Sequence, residues 1–192
     1  MSTTKYLFSG FGGQGILFIG KLVAYKGLIE DKQVSWLPSY GPEMRGGTAS
    51  CSVIVSDSQV GSPIVSNPDV LVAMNLPSLD RFENSVVPGG TIFYDSSLIE
   101  REVARKDVKA VGVPATRLAS ENGFPTLANM ILLGKILSDR GEFTEEGIRA
   151  ALGKVISARH ADMLEVNLRA MQLGANCKYR RKEHGNQVST RE

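Results

Sequence analysis

The spacing of apolar positions changes character along the chain. KYLFSG (5–10) is a short apolar run that ends on glycine, and ILFIGKLVAYKGLI (16–29) opens with Ile16, Leu17, Phe18 and Ile19 in succession. The first reads as a strand, and the second as a helix apolar nearly all round at its start, hence buried rather than amphipathic. QVSWLPSY (33–40) and TASCSVIVS (48–56) read as a second and third strand, the latter β-branched or small at almost every position. Only GPEMRGG (41–47) separates them, too short for the crossover helix that parallel neighbours require, so these two strands are expected to be antiparallel. After a Gly/Pro-rich connection (61–68), DVLVAMN (69–75), GGTIFYDSS (89–97) and VKAVGVP (108–114) read as further strands, with PSLDRFENSV (77–86) a short helix between the first two.

From Pro125 the period becomes helical. PTLANMILLGKILSDRG (125–141) gathers Leu127, Met130, Ile131, Leu133 and Leu137 mainly on one broad face and stops at Gly141. TEEGIRAALGKVIS follows with Thr144 as N-cap and Glu145 and Glu146 in its first turn, and HADMLEVNLRAMQLG (160–174) is the last helix. Strands alternating with helices and then helices alone predict an α/β fold: a three-layer α/β/α Rossmann-like sandwich, its sheet mostly parallel with an antiparallel pair of second and third strands. One domain is expected over residues 1–176, with a basic flexible tail over 177–192.

Charge follows the same division. Of 22 Lys and Arg and 20 Asp and Glu, five bases (Lys178, Arg180, Arg181, Lys182, Arg191) and two acids (Glu183, Glu192) fall from Lys178 onward, leaving 17 bases against 18 acids before it. A near-neutral folded part argues against nucleic-acid binding. No apolar run reaches the ~18 residues of a membrane helix and the N-terminus lacks a signal-peptide plan, so a cytoplasmic location is expected. Cys51 and Cys177 are the only cysteines, His160 and His184 the only histidines. That donor set cannot hold an iron–sulfur cluster or a structural zinc ion, so any metal or redox centre belongs to another chain.

GFGGQGILFIGKL carries two overlapping phosphate-binding signatures: Gly10, Gly12 and Gly15 fit G-x-G-x-x-G, while Gly15, Gly20 and Lys21 fit most of a P-loop. The P-loop reading fails, because Leu22 replaces the magnesium-binding hydroxyl and Gly20 falls inside a helix already begun. The dinucleotide reading keeps the turn from strand into helix N-terminus but lacks the ribose-binding acid: Glu30 and Asp31 precede the second strand, whose end is Ser39-Tyr40. NAD or FAD is therefore not assigned, and a turn that only lets helix and strand pack closely is the competing reading. Gln14, an amide among glycines, needs a partner from a loop, a ligand or another subunit.

A second constellation is SYGPEMRGGTA (39–49). If the second strand parallels the first, this loop starts at the glycine-loop edge, with Tyr40, Arg45 and the Gly46-Gly47 backbone as candidates for ligand or subunit contact; a Glu43–Arg45 pair is the structural alternative. Asp95 reads as a helix cap or a cleft residue, Cys51 as core, and Trp36 as core or interface. No catalytic residue is assigned.

GFGGQGI, WLPSYGPEMRGGTASCSVIVSD, PDVLVAMN, LANMILLGKIL and VNLRAMQLGA, in this order up to about Gly174, resemble the gamma subunit of 2-oxoacid:ferredoxin oxidoreductases. The resemblance implies a subunit of a complex that oxidatively decarboxylates a 2-oxoacid to its acyl-CoA and reduces ferredoxin. Thiamine diphosphate, magnesium and 4Fe-4S clusters would then lie on companion alpha, beta and delta subunits. The SYGPEMRGG form resembles the 2-oxoglutarate and branched-chain subtypes, with 2-oxoglutarate expected first. Gly10, Gly12, Gly13, Gln14 and Gly15, with Tyr40, Arg45, Gly46 and Gly47, would line a shared coenzyme A cleft.

Overall fold

The structure is a computed structural model that describes residues 2–39, 48–157 and 160–178. Six strands, β1 (Thr3–Phe11), β2 (Gln33–Ser39), β3 (Thr48–Ser56), β4 (Val70–Ala73), β5 (Thr91–Asp95) and β6 (Lys109–Val113), form one sheet in the order β2-β3-β1-β4-β5-β6. β1, β4, β5 and β6 are parallel neighbours. β3 is antiparallel to β2, as the short link between them predicts, and also to β1, beside which it lies. β1 and β2 therefore point the same way, and all strands but β3 have their carboxyl ends at one edge.

Six α-helices lie among the described residues: α1 (Ile16–Ile29), α2 (Leu76–Phe82), α3 (Ala115–Glu121), α4 (Ala128–Asp139), α5 (Glu145–Val155) and α6 (Met163–Ala175). Side chains alternate across the sheet with the strand period of two. Tyr6, Phe8, Val70, Val72, Phe93, Val111 and Val113 join one core with residues of α1, α3, α4, α5 and α6. Leu7, Leu71, Ala73 and Ile92 face the other way, onto Leu79 of α2, Val86 and Ile99. The sandwich is thus unequal, five helices contributing to one side and α2 to the other.

α1 lies close on the β2–β3 pair: a Cβ on Gly20 would stand 2.5 Å from Cys51 Sγ. Of the apolar start of α1, Ile16 and Ile19 are buried, at most 2% exposed, whereas Leu17 and Phe18 are half-buried. α3, which the apolar pattern does not announce, is seven residues long and begins directly after Pro114. Asp95, at the end of β5, accepts hydrogen bonds from Thr116 N at 3.1 Å, Thr116 Oγ1 at 2.5 Å and Ser97 N at 2.9 Å. Its carboxylate therefore stitches the start of α3 to the sheet. The tail from residue 179 lies outside the described residues.

Candidate functional site

At the carboxyl edge, β1 ends on Phe11 and Gly12, Gly13, Gln14 and Gly15 turn the chain into α1. Gly13 and Gly15 take left-handed φ values of 94° and 73°, a region that an L side chain enters at a cost. Their surroundings differ. A Cβ on Gly13 would meet nothing within 4 Å, whereas one on Gly15 would lie 2.2 Å from Asn129 Nδ2. Gly13 is therefore open backbone, and Gly15 is gripped. Gly10 serves packing instead: its Cβ would stand 2.7 Å from Gln14 Oε1 and 2.9 Å from Ile16 Cδ1.

α1 starts without a side-chain cap and without an acid in its first turn. Its first N–H groups and the positive end of its dipole are consequently left for an external acceptor. The chain itself uses Gln14. Gln14 Nε2 donates to Met74 O at 3.0 Å, and its Oε1 accepts from Phe11 N at 2.7 Å and, more distantly, from Asn75 Nδ2 at 3.5 Å. Asn75 Oδ1 in turn accepts from Ser78 N at 2.8 Å, capping α2, while the Ser9 and Ser78 hydroxyls lie 3.0 Å apart. Gln14 is thus the clasp between the loops that follow β1 and β4. Those strands are neighbours from which the chain winds in opposite directions, the place where doubly wound sheets receive ligands.

Tyr40, Arg45, Gly46 and Gly47 lie outside the described residues. Their anchors are placed: Ser39 pairs with Ser50 and Thr48 with Phe11, so the link leaves and re-enters the sheet at the glycine-loop edge. The same edge carries exposed apolar side chains, Phe11 at the end of β1 and Leu76 and Leu98 after β4 and β5.

Several sequence candidates are not free to take part. Asp95 is fully buried and committed to α3. Cys51 is fully buried, and burial pushes its thiol up to about 12, against a weaker lowering by a hydrogen bond with Trp36, so it is no nucleophile. Gly20 sits within α1, and Lys21 Nζ lies 5.8 Å from the Tyr25 ring centre, which removes the P-loop reading. At the opposite edge, a cleft of about 230 Å³ is rich in charge, but Lys26–Glu30, Lys32–Asp57 and Arg140–Glu142 pair within it at 2.5, 2.5 and 2.8 Å.

Asn75 and Asn129 contact the glycine turn, and reading the sequence missed both. The signal for Asn129 was a polar amide inside the apolar run LANMILL, where a buried amide needs a partner. It finds Gly15 O, to which Nδ2 donates at 3.3 Å.

A doubly wound α/β domain whose ligand edge is an uncapped helix N-terminus behind a glycine turn is the class these features define. The chain belongs to the pyruvate ferredoxin/flavodoxin oxidoreductase family, whose model matches residues 5–177. It is 43% identical over 168 residues to the ketoisovalerate oxidoreductase subunit VorA of Methanothermobacter thermautotrophicus, a match covering 87% of this chain and 35% of that one. It is 32% identical over 173 residues to the 2-oxoglutarate synthase subunit KorC of Methanothermobacter marburgensis, covering 86% and 91%. The chain therefore spans little more than a third of the VorA length and nearly all of KorC. Among solved structures, it resembles the gamma subunit of a keto/oxoacid ferredoxin oxidoreductase from Geobacter sulfurreducens (TM-score 0.75, 28% identity, 90% of this chain and 96% of that one). It also shares the fold of part of the 2-oxoglutarate:ferredoxin oxidoreductase of Magnetococcus marinus, solved with 2-oxoglutarate, coenzyme A and succinyl-CoA (TM-score 0.81, 23% identity, 91% and 30%).

Proposed function

We propose that this chain is the gamma subunit of a cytoplasmic, multi-subunit 2-oxoacid:ferredoxin oxidoreductase. In that reaction a 2-oxoacid loses carbon dioxide, its acyl group forms a thioester with coenzyme A, and two electrons pass to ferredoxin. The observation that carries the reading is the uncapped α1 N-terminus behind Gly12–Gly15, at the switch point of a chain whose family match spans residues 5–177. Its role is to receive the coenzyme A pyrophosphate: amides at the start of α1 face the anion, open backbone at Gly13 permits close approach, and Arg45 on the neighbouring link supplies a cationic fork. Thiamine diphosphate with its magnesium, and the iron–sulfur clusters, belong to companion subunits and supply the decarboxylation and electron transfer. Two cysteines, one of them sealed in the core, do not fit a cluster here. The apolar rim of Phe11, Leu76 and Leu98 suits contact with such a companion.

Two 2-oxoacids compete. The SYGPEMRGG form suits 2-oxoglutarate and the branched-chain acids alike, with 2-oxoglutarate the first expectation; the higher identity to VorA, 43% against 32% to KorC, favours the branched-chain acid ketoisovalerate. The test is co-purification with untagged companions, followed by coenzyme A-dependent reduction of ferredoxin with each acid. The isolated chain is expected to be inactive and the complex active. Arg45→Ala is expected to raise the KM for coenzyme A; an intact complex with unchanged KM counts against the cleft assignment.

A further inference from the structure

We propose that Asn129 is a positioning residue of the glycine-loop site, holding the N-terminus of α1 in the shape that receives a phosphoryl group. The inference rests on the preceding reading for the identity of the ligand, the pyrophosphate of coenzyme A, and adds a residue from a distant part of the chain.

Asn129 sits in the first turn of α4, in a stretch where Met130, Ile131, Leu132 and Leu133 are fully buried. It is itself 5% exposed and points at the N-cap residue of α1. Nδ2 donates to Gly15 O at 3.3 Å and lies where a Cβ of residue 15 would be, so the amide closes on both the carbonyl and the bare Cα of Gly15. Gly15 O also accepts from Ile19 N at 3.1 Å, the first helical bond of α1. One side chain thereby fixes the residue that aims the first turn of amides. Gln14 secures the preceding residue from the β4 side, so the turn is held from two directions.

The other half of the amide argues that this grip is functional. Asn129 Oδ1 is buried and has no hydrogen-bond donor among the described residues. A buried amide oxygen without a donor lowers stability, and an apolar side chain of similar size would avoid that loss. An amide retained in an apolar helix, with one end satisfied and the other not, is explained by what it does to Gly15 and not by the core it occupies.

The test compares wild type, Asn129→Leu and Asn129→Ala in the assembled complex, with coenzyme A as the varied substrate and thermal unfolding as the second readout. Asn129→Leu is expected to keep or raise the unfolding temperature, while both variants raise the KM for coenzyme A about tenfold, the size of one lost polar contact. The rate at saturating coenzyme A and the KM for the 2-oxoacid are expected to stay within about twofold. Unchanged coenzyme A KM in Asn129→Ala overturns the proposal, as does a fall in saturated rate without a change in KM. Arg45→Ala separates the two ideas: if it raises the KM and Asn129→Ala does not, only the role of Asn129 fails; if neither does, the coenzyme A reading itself fails.

Discussion

Replacing Gly15 by alanine tests the geometry at the start of α1 most sharply. Two penalties add. An alanine held at φ 73° pays for the left-handed conformation, about 1–2 kcal/mol. Its Cβ would stand 2.2 Å from Asn129 Nδ2, which must swing away and give up its bond to Gly15 O, about 1 kcal/mol more plus residual strain. The total is about 2–4 kcal/mol, a large share of the stability of a domain of this size. Gly13→Ala provides the contrast, because its Cβ meets nothing and only the conformational penalty applies. Urea unfolding followed by circular dichroism measures each variant alone and in an Asn129→Ala background. The steric part is expected to vanish there, leaving Gly15→Ala costing about 1–2 kcal/mol, a coupling that a double-mutant cycle reads directly. An identical cost of Gly15→Ala in both backgrounds would refute the contact.

Other expectations follow from packing and burial. Gly174→Ala would push a Cβ to 1.8 Å from Ile131 O, forcing α4 and α6 apart; a loss of about 2–4 kcal/mol by urea unfolding is expected. Gly153→Ala, with open space around it, is expected to be neutral or stabilising by up to about 1 kcal/mol. Gln14→Met removes the partner of Met74 O and Phe11 N and is expected to cost about 1–3 kcal/mol, with hydrogen exchange at Phe11 N accelerated. Burial holds the Cys51 thiol neutral when folded, up to about 12, whereas the unfolded thiol ionises near its ordinary value, so stability is full below about pH 8.5 and declines as pH rises toward 12. Between pH 8 and 10 this amounts to about 2 kcal/mol, and a wild-type decline no steeper than that of Cys51→Ala would contradict it.

The sequence exposed what depends on local spacing. The seven-residue link 41–47 predicted antiparallel β2 and β3, and the uninterrupted apolar start at Ile16–Ile19 predicted a buried helix that breaks the P-loop reading. It did not show that β3 inserts between β1 and β2, because strand order is decided by pairings between distant segments. For the same reason the partner of Gln14 was open: Met74 lies 60 residues away and meets it only once β1 and β4 are adjacent. α3 escaped because seven residues carry too few turns for an apolar period, and its start is secured by Asp95, twenty-one residues earlier. Asn129 was passed over although it is a polar residue in an apolar run, because its partner at Gly15 appears only once α1 and α4 converge.

The coenzyme A reading places the ligand on the open backbone at Gly13, in front of the α1 N-terminus. The most direct measurement is a coenzyme A titration of the assembled complex carrying Gly13→Ala, which adds a methyl group in the open space beside the turn and holds it at φ 94°. A KM for coenzyme A raised about tenfold or more is expected, with assembly and the KM for the 2-oxoacid unchanged. A complex that assembles normally and keeps the wild-type KM for coenzyme A would contradict it.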